Sequence, residues 1–326
     1  MKNSKLLLML FLALSFSFVA CEDDDDEPAP ISNNGGNNSQ SIAEIAIADD
    51  RTDSLVVALS TAGLVQTFQD AGTYTVFAPT NQAFVDLLAS EPTWNRISDI
   101  PVDALTDVLL YHVLATEVRA SDLTEDTYAT TLNTQGSDKD ENTVLEIDLT
   151  PNARINNSSN ITATDIEANN GVIHIIDAVI SPRSTVELAI NDERFTSLVA
   201  ALQVFGDTLT STLAGFSNST IFAPTNAAFQ ALLDSDPTWN SLADIPRGTL
   251  NNVLLYHVNG MSNVQSGELM DNQTITTALS GSVLTVDLSN GAKIETGAGQ
   301  SVEIIVTDVQ GTNGVIHAVD EVLLPQ

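Results

Sequence analysis

Four histidines, His112, His174, His257 and His317, and one cysteine, Cys21, are the chain's whole supply of imidazole and thiol. No two histidines stand at the close spacing, as in HExxH, that puts a metal-binding pair on one helix face. A single thiol makes neither an intrachain disulfide nor a CxxC redox pair. Asp138 to Thr143 begins like a calcium loop, but Thr143 replaces the turn glycine and Leu149 the bidentate glutamate. Gly215 to Ser219 approaches a nucleophile elbow and ends on Ser219 where a glycine belongs. These residues predict no catalytic constellation, no cofactor and no metal site. The composition narrows the partners further. Lys and Arg number 11 against 43 Asp and Glu, a formal net charge of −32, and the basic residues are scattered. Nucleic acid and anionic lipid both need a positive footprint, so neither is expected as a partner surface.

The histidines belong to a unit written twice, which the elements around them must position alike. Val76 to Phe84 (VFAPTNQAF) recurs as Ile221 to Phe229 (IFAPTNAAF), and Leu109-Leu110-Tyr111-His112-Val113 recurs as Leu254-Leu255-Tyr256-His257-Val258. Asn170-Gly171-Val172-Ile173-His174 recurs at Asn313 to His317. Two tandem domains follow, 41–183 and 184–326. Each opens with helical patterning, in which Leu55, Val56, Leu59 and Ala62 make an apolar stripe that Gly63 can end. Tyr74 to Phe77 reads as a strand, broken at Pro79, with Thr80 or Asn81 placed to cap the next helix. A further helix follows Pro101 and carries Leu105, Val108, Leu109 and His112 on one face. Alternation at Leu145, Ile147 and Leu149, and at Leu284, Val286 and Leu288, marks half-buried strands. Apolar runs from Val172 to Ile180 and from Val315 to Leu324 close each domain as central strands. The class is α+β, with helices first and a mainly antiparallel sheet or sandwich after.

At its start the chain carries an address. Lys2 and Lys5 precede an apolar run, Leu6 to Ala20, too short to span a bilayer, so 1–20 reads as a signal peptide. Its end, Phe18-Val19-Ala20-Cys21, resembles a bacterial lipobox, which implies acylation of Cys21. Residues 21–40 then form an acidic, Asn-, Gly- and Ser-rich tether with too little apolar content to pack. The run Glu22, Asp23, Asp24, Asp25, Asp26 and Glu27 is similar to the surface-export signal of Bacteroidetes-type lipoproteins. That likeness implies lipid anchoring at the outer membrane with the domains facing the medium, and a periplasm-facing arrangement is the second choice.

The repeated motifs resemble the fasciclin family over essentially all of both repeats. The first signature holds Phe77, Pro79, Thr80 and Asn81, with Phe222, Pro224, Thr225 and Asn226 in the second copy. The second holds Gly171 and His174, with Gly314 and His317. The resemblance implies a wedge-shaped β-sandwich packed with several α-helices in each domain, and a non-enzymatic adhesion role. It also implies candidate partner contacts at the Tyr-His pairs, Tyr111-His112 and Tyr256-His257, and at the pairs Asp165-Ile166 and Asp308-Val309. His112, on the apolar stripe of its helix, and His174 and His317, in the closing strands, are expected to be buried with a satisfied hydrogen bond, whereas Tyr111, one step round the helix, is placed either at the surface for partner contact or in the core as an aromatic. Expected partners are an extracellular protein, a matrix component or a glycan, and membrane contact is through the lipid anchor alone. An accessory glycan-capture role beside an outer-membrane uptake or degradation system is the alternative. Trp94 and Trp239 hold matching positions, which suits structural residues better than sugar platforms.

Overall fold

The computed structural model describes residues 39–124, 127–136, 141–149 and 152–326. Cys21 and the acidic run Glu22 to Glu27 lie outside the described residues. Domain 1 runs α1 (Ile42–Ala48), α2 (Asp53–Thr61), β1 (Tyr74–Pro79), α3 (Asn81–Ser90), α4 (Val102–Tyr111), β2 (Val113–Leu114), β3 (Thr127–Thr130), β4 (Val144–Asp148), β5 (Arg154–Ile155), β6 (Ser159–Ala168) and β7 (Gly171–Ile176). Domain 2 runs α5 (Thr185–Asn191), α6 (Thr196–Gln203), α7 (Asp207–Ala214), β8 (Ser219–Pro224), α8 (Asn226–Asp234), α9 (Arg247–Tyr256), β9 (Val258–Asn259), β10 (Thr274–Thr276), β11 (Val283–Asp287), β12 (Lys293–Glu295), β13 (Ser301–Gly311) and β14 (Gly314–Val319).

Both domains begin on a capping box. Ser41 and Ser184 accept the N3 amides of Glu44 and Glu187, whose carboxylates reach back to the serine amides. The first expected cap also forms, since Thr80 and Thr225 accept the amides of Ala83 and Ala228 and so start α3 and α8. The strand order is β2-β1-β7-β6-β5-β4-β3 in domain 1 and β10-β11-β12-β13-β14-β8-β9 in domain 2. The expected antiparallel pairing has one exception per domain, because β1 runs parallel to β7 and β8 parallel to β14. The closing strands are also shorter than their apolar runs, ending at Ile176 and Val319.

Register shifts in β6 and β13 bend each sheet, so its two halves enclose an apolar layer. In domain 1 this layer joins Phe77 and Ile176 to Leu145, Ile147 and Ile155. The opposite faces of β1 and β7, through Val76, Ala78, Ile173 and Ile175, pack against the helices instead. Alternate residues of one strand thus serve two cores, as a pleat requires. Domain 2 repeats the plan, with Phe222, Leu284, Val286 and Ile294 in one layer and Ile221, Ala223 and Ile316 in the other. Asn38–Gln326 closes into one compact unit that holds all of these cores.

Candidate functional site

The two signatures meet at one place in each sheet. Phe77 is the register partner of His174 and Phe222 that of His317. Their rings lie 5.6 and 5.8 Å apart. Gly171 and Gly314, at φ 147° and 150°, come so close to the neighbouring strand that a Cβ would strike the Tyr74 and Ser219 carbonyls. The asparagines of the first signature are clamps. Asn81 accepts the Ser54 amide (2.8 Å) and donates to the Asp50 carbonyl (2.7 Å), fixing the start of α2. Asn226 does the same for α6 through the Ser197 amide and the Glu193 carbonyl. Asn170 and Asn313, which open the second signature, accept the first amides of α1 and α5.

The Tyr-His pairs lie inside the fold. Tyr111 is completely buried and Tyr256 is 2% exposed, so of the two positions open to Tyr111 the structure shows the core one and not the surface one. The reason is that α4 ends at Tyr111, which turns inward beneath β4 and leaves His112 as the C-cap. The Tyr111 hydroxyl donates to the Val144 carbonyl (2.8 Å) and accepts from Asn156 Nδ2 (2.9 Å). Burial pushes its pKa above the ordinary phenol range. Tyr256 donates to the Val283 carbonyl (3.0 Å) and accepts from the Gly297 amide (3.1 Å).

Each imidazole has both nitrogens engaged. His112 Nδ1 faces the Val108 carbonyl at 2.7 Å and Nε2 accepts the Ile180 amide at 3.1 Å. His257 repeats this with Val253 (2.7 Å) and Leu323 (2.9 Å). A carbonyl on Nδ1 and an N–H on Nε2 together dictate the neutral Nδ1–H tautomer. Loss of water on burial pushes both pKa values down to about 4. His174 and His317 take the opposite tautomer. Their Nδ1 atoms accept the Asp165 and Asp308 amides, each at 3.3 Å, and their Nε2 atoms donate to the Val118 and Val264 carbonyls, each at 2.9 Å. No imidazole nitrogen is left for a metal or a substrate proton.

The Asp-Ile pair is part of the same construction. Asp165 and Asp308 sit in the left-handed region at φ 57° and 61°, where β6 and β13 bulge. The Asp165 carboxylate accepts the Ala120 amide (2.9 Å), and that of Asp308 accepts the Ser266 amide (2.7 Å) and hydroxyl. Both aspartates are half-buried, as is Ile166, whereas Val309 is 1% exposed. The structure therefore joins the Asp-Ile and second-signature histidine positions directly and keeps the Tyr-His pairs apart from solvent. Trp94 and Trp239 are half-buried against their helical cores. Among the described residues no group of three or more His, Cys, Asp or Glu side chains could hold a metal ion.

A contact between the domains was not expected from the motifs. Tyr128 on β3 donates to Asp192 Oδ2 at 2.6 Å, and the Arg194 guanidinium, in a fork with the same carboxylate, lies 5.3 Å from the centre of the Tyr128 ring. Burial and the Asp192 charge raise the Tyr128 pKa above the ordinary phenol range. Val144 on β4 is 4% exposed because it enters the helical core of domain 2. Glu141 of domain 1 accepts from Asn263 Nδ2. Tyr128 has no aromatic counterpart in domain 2, and that asymmetry was the one available signal.

The fasciclin domain model matches residues 50–182 and again 193–325. The transforming growth factor-beta-induced protein ig-h3 of Sus scrofa is 30% identical over 263 residues, 78% of this chain and 35% of that protein. The uncharacterized protein sll1735 of Synechocystis is 39% identical over 140 residues, 43% of this chain and 96% of that protein. The solved domain pair of the insect cell adhesion molecule fasciclin I aligns with TM-score 0.48 at 16% identity, covering 86% of this chain and 95% of that one. The chain spans about a third of the length of the ig-h3 relative. With both repeats matched over most of their length, the chain belongs to the fasciclin domain family and carries two copies in tandem.

Proposed function

We propose that this chain is a non-enzymatic adhesion or binding lipoprotein that displays two fasciclin domains from a lipidated Cys21 on the outer surface of a bacterial outer membrane. Fasciclin domains are associated with cell adhesion and extracellular binding in homologues, which supports the general role. The observation that carries the reading is the internal use of every signature side chain: imidazoles, buried tyrosines and clamp asparagines all bond to the fold itself. What is left to meet a partner is the exposed loops and sheet edges, where shallow contacts gain strength from many displayed copies. Extracellular protein, matrix component and glycan are the partner classes of this reading.

The test is binding of the folded unit Asn38–Gln326 to arrays of matrix proteins and of bacterial and host glycans, beside a Tyr111→Phe/Tyr256→Phe variant. Saturable binding that survives the hydroxyl deletions supports the reading, and saturable binding abolished in a variant with unchanged melting would return the site to the Tyr-His pairs. Anchoring has its own test: Cys21→Ser should move the protein from the membrane fraction to the soluble one, and unchanged detergent partitioning would rule lipidation out.

A further inference from the structure

The face of domain 2 that receives domain 1 has an uncovered duplicate on domain 1. Asp49 and Arg51 form the same fork as Asp192 and Arg194, with 2.7 Å between Nη2 and Oδ2 in both. Under Tyr128 the domain 2 pair is 1% and 26% exposed at Asp192 and Arg194, whereas Asp49 and Arg51 are 19% and 50% exposed. The inserting face has a duplicate as well. Tyr128 is the register partner of Glu146, and Thr274 that of Thr285. Val144 and Val283 each lend a carbonyl to the buried tyrosine, so they are equivalent, yet Val144 is 4% exposed and Val283 is 47% exposed. One molecule thus presents an acceptor face at domain 1 and an inserting face at domain 2, both open.

The polar residues at the two open faces differ from those of the joint in a matched way. In the joint, the carboxylate of Glu141 comes from the inserting face and the amide of Asn263 from the acceptor. Asn263 precedes Val264, whose carbonyl takes His317 Nε2; its counterpart is Glu117, which precedes Val118. Gln310 pairs with Val315 as Glu167 pairs with Val172, so the open acceptor carries Glu117 and Glu167, both ion-paired to Arg119. On the inserting side, Glu141 stands three residues before β4, and the residue three before β11 is Ser280. The acceptor gains carboxylates, and hydroxyls at Thr274, Ser280 and Thr285 stand on the inserting face beside Glu295, the register partner of Thr285. The open faces therefore bring together hydroxyl donors and carboxylate acceptors.

From this we infer that the β10–β11 face of one copy docks on the Asp49–Arg51 face of a second copy, head to tail, in the manner of the joint within the chain. Such a contact is heterologous and leaves one face open at each end, so it runs on instead of closing at a dimer. It is weaker than the joint, because Thr274 supplies a hydroxyl without the ring that Tyr128 places under Arg194. It belongs to crowded display, and salt strengthens it by screening the net negative charge of each copy.

Sedimentation of the folded unit Asn38–Gln326, up to about 1 mM, reads this directly. The weight-average mass should climb past that of a dimer, and more so at higher salt. Arg51→Glu, which spoils the acceptor, and Val283→Glu, which spoils the inserting face, should each be monomeric alone. Mixed, they retain one intact face of each kind and should stop at a dimer. Thr274→Tyr, on an exposed strand residue where tyrosine is favoured, should tighten association about tenfold or more. A wild-type unit that stays monomeric throughout overturns the inference and leaves the face to a different partner. Association that neither Arg51→Glu nor Val283→Glu alters overturns it equally.

Discussion

The four histidines make equivalent bonds, within 0.2 Å of each other, in both domains, while the residues at the two ends of each domain differ. The difference separates two kinds of sequence. What recurs, from the buried Phe77–His174 stack to the Asn81 clamp on α2, joins strands and helices within one domain. What does not recur, Tyr128 against Thr274 or Glu117 against Asn263, lies where a domain meets something outside itself. The signature motifs mark construction, and at the contact a repeated fork, Asp192-Arg194, meets a residue that is not repeated, Tyr128.

Breaking the recurring part should have the largest effect. Tyr111→Ala removes a fully buried aromatic and leaves the Val144 carbonyl and Asn156 amide without their partner, so urea denaturation should show a loss of about 3–5 kcal/mol. Tyr256→Ala should match it, since Tyr256 has equivalent bonds. A loss below about 1 kcal/mol at either position would place that tyrosine nearer the surface than the structure does.

Acid should act next. His112 and His257 have folded pKa values of about 4 against 6.5 in the unfolded chain, so between these pH values the unfolded state binds more protons. Stability from this source is complete above pH 6.5, falls as pH drops and is gone below about 4. Each histidine accounts for about 3 kcal/mol across that window. Comparing wild type with His112→Gln isolates the effect from the falling carboxylate charge, and equal slopes in the two proteins would refute it.

The contact between domains should give the smallest effect and the sharpest contrast. Tyr128→Phe keeps the ring over Arg194 but loses the bond to Asp192, costing about 1–2 kcal/mol. Calorimetry should resolve a separation of the two domains' transitions. Thr274→Val, at the equivalent position, should lie within about 0.5 kcal/mol of wild type. If the two substitutions act alike, the joint is not what distinguishes the faces.

Much of the fold was legible because its determinants are local or repeated. Pro79 followed by Thr80 marks a strand end and a helix cap within adjacent residues, and both are found there. The apolar stripe ending at Gly63 gives α2 and its stop, since Gly63 takes the left-handed conformation at φ 71°. Helical periodicity does not decide between surface and core for Tyr111, because it is the last helical residue and is covered by a strand of the bent sheet more than thirty residues away. The bend itself arises from the bulge at Asp165, a left-handed aspartate that no periodicity announces. The joint was hidden for a different reason: Tyr128 and Asp192 are 64 residues apart, and Asp192 recurs as Asp49 whereas Tyr128 has no aromatic counterpart in the other repeat.

The central claim, that the histidines serve the fold and are closed to partners, is tested most directly by nitrogen-detected NMR of the four imidazoles near neutral pH. The account predicts neutral Nδ1–H rings at His112 and His257 and neutral Nε2–H rings at His174 and His317, identical across the two domains. It further predicts that His112 and His257 stay uncharged until about pH 4. A mixed tautomer at any of the four, or titration of His112 or His257 near their unperturbed value of 6.5, would contradict it.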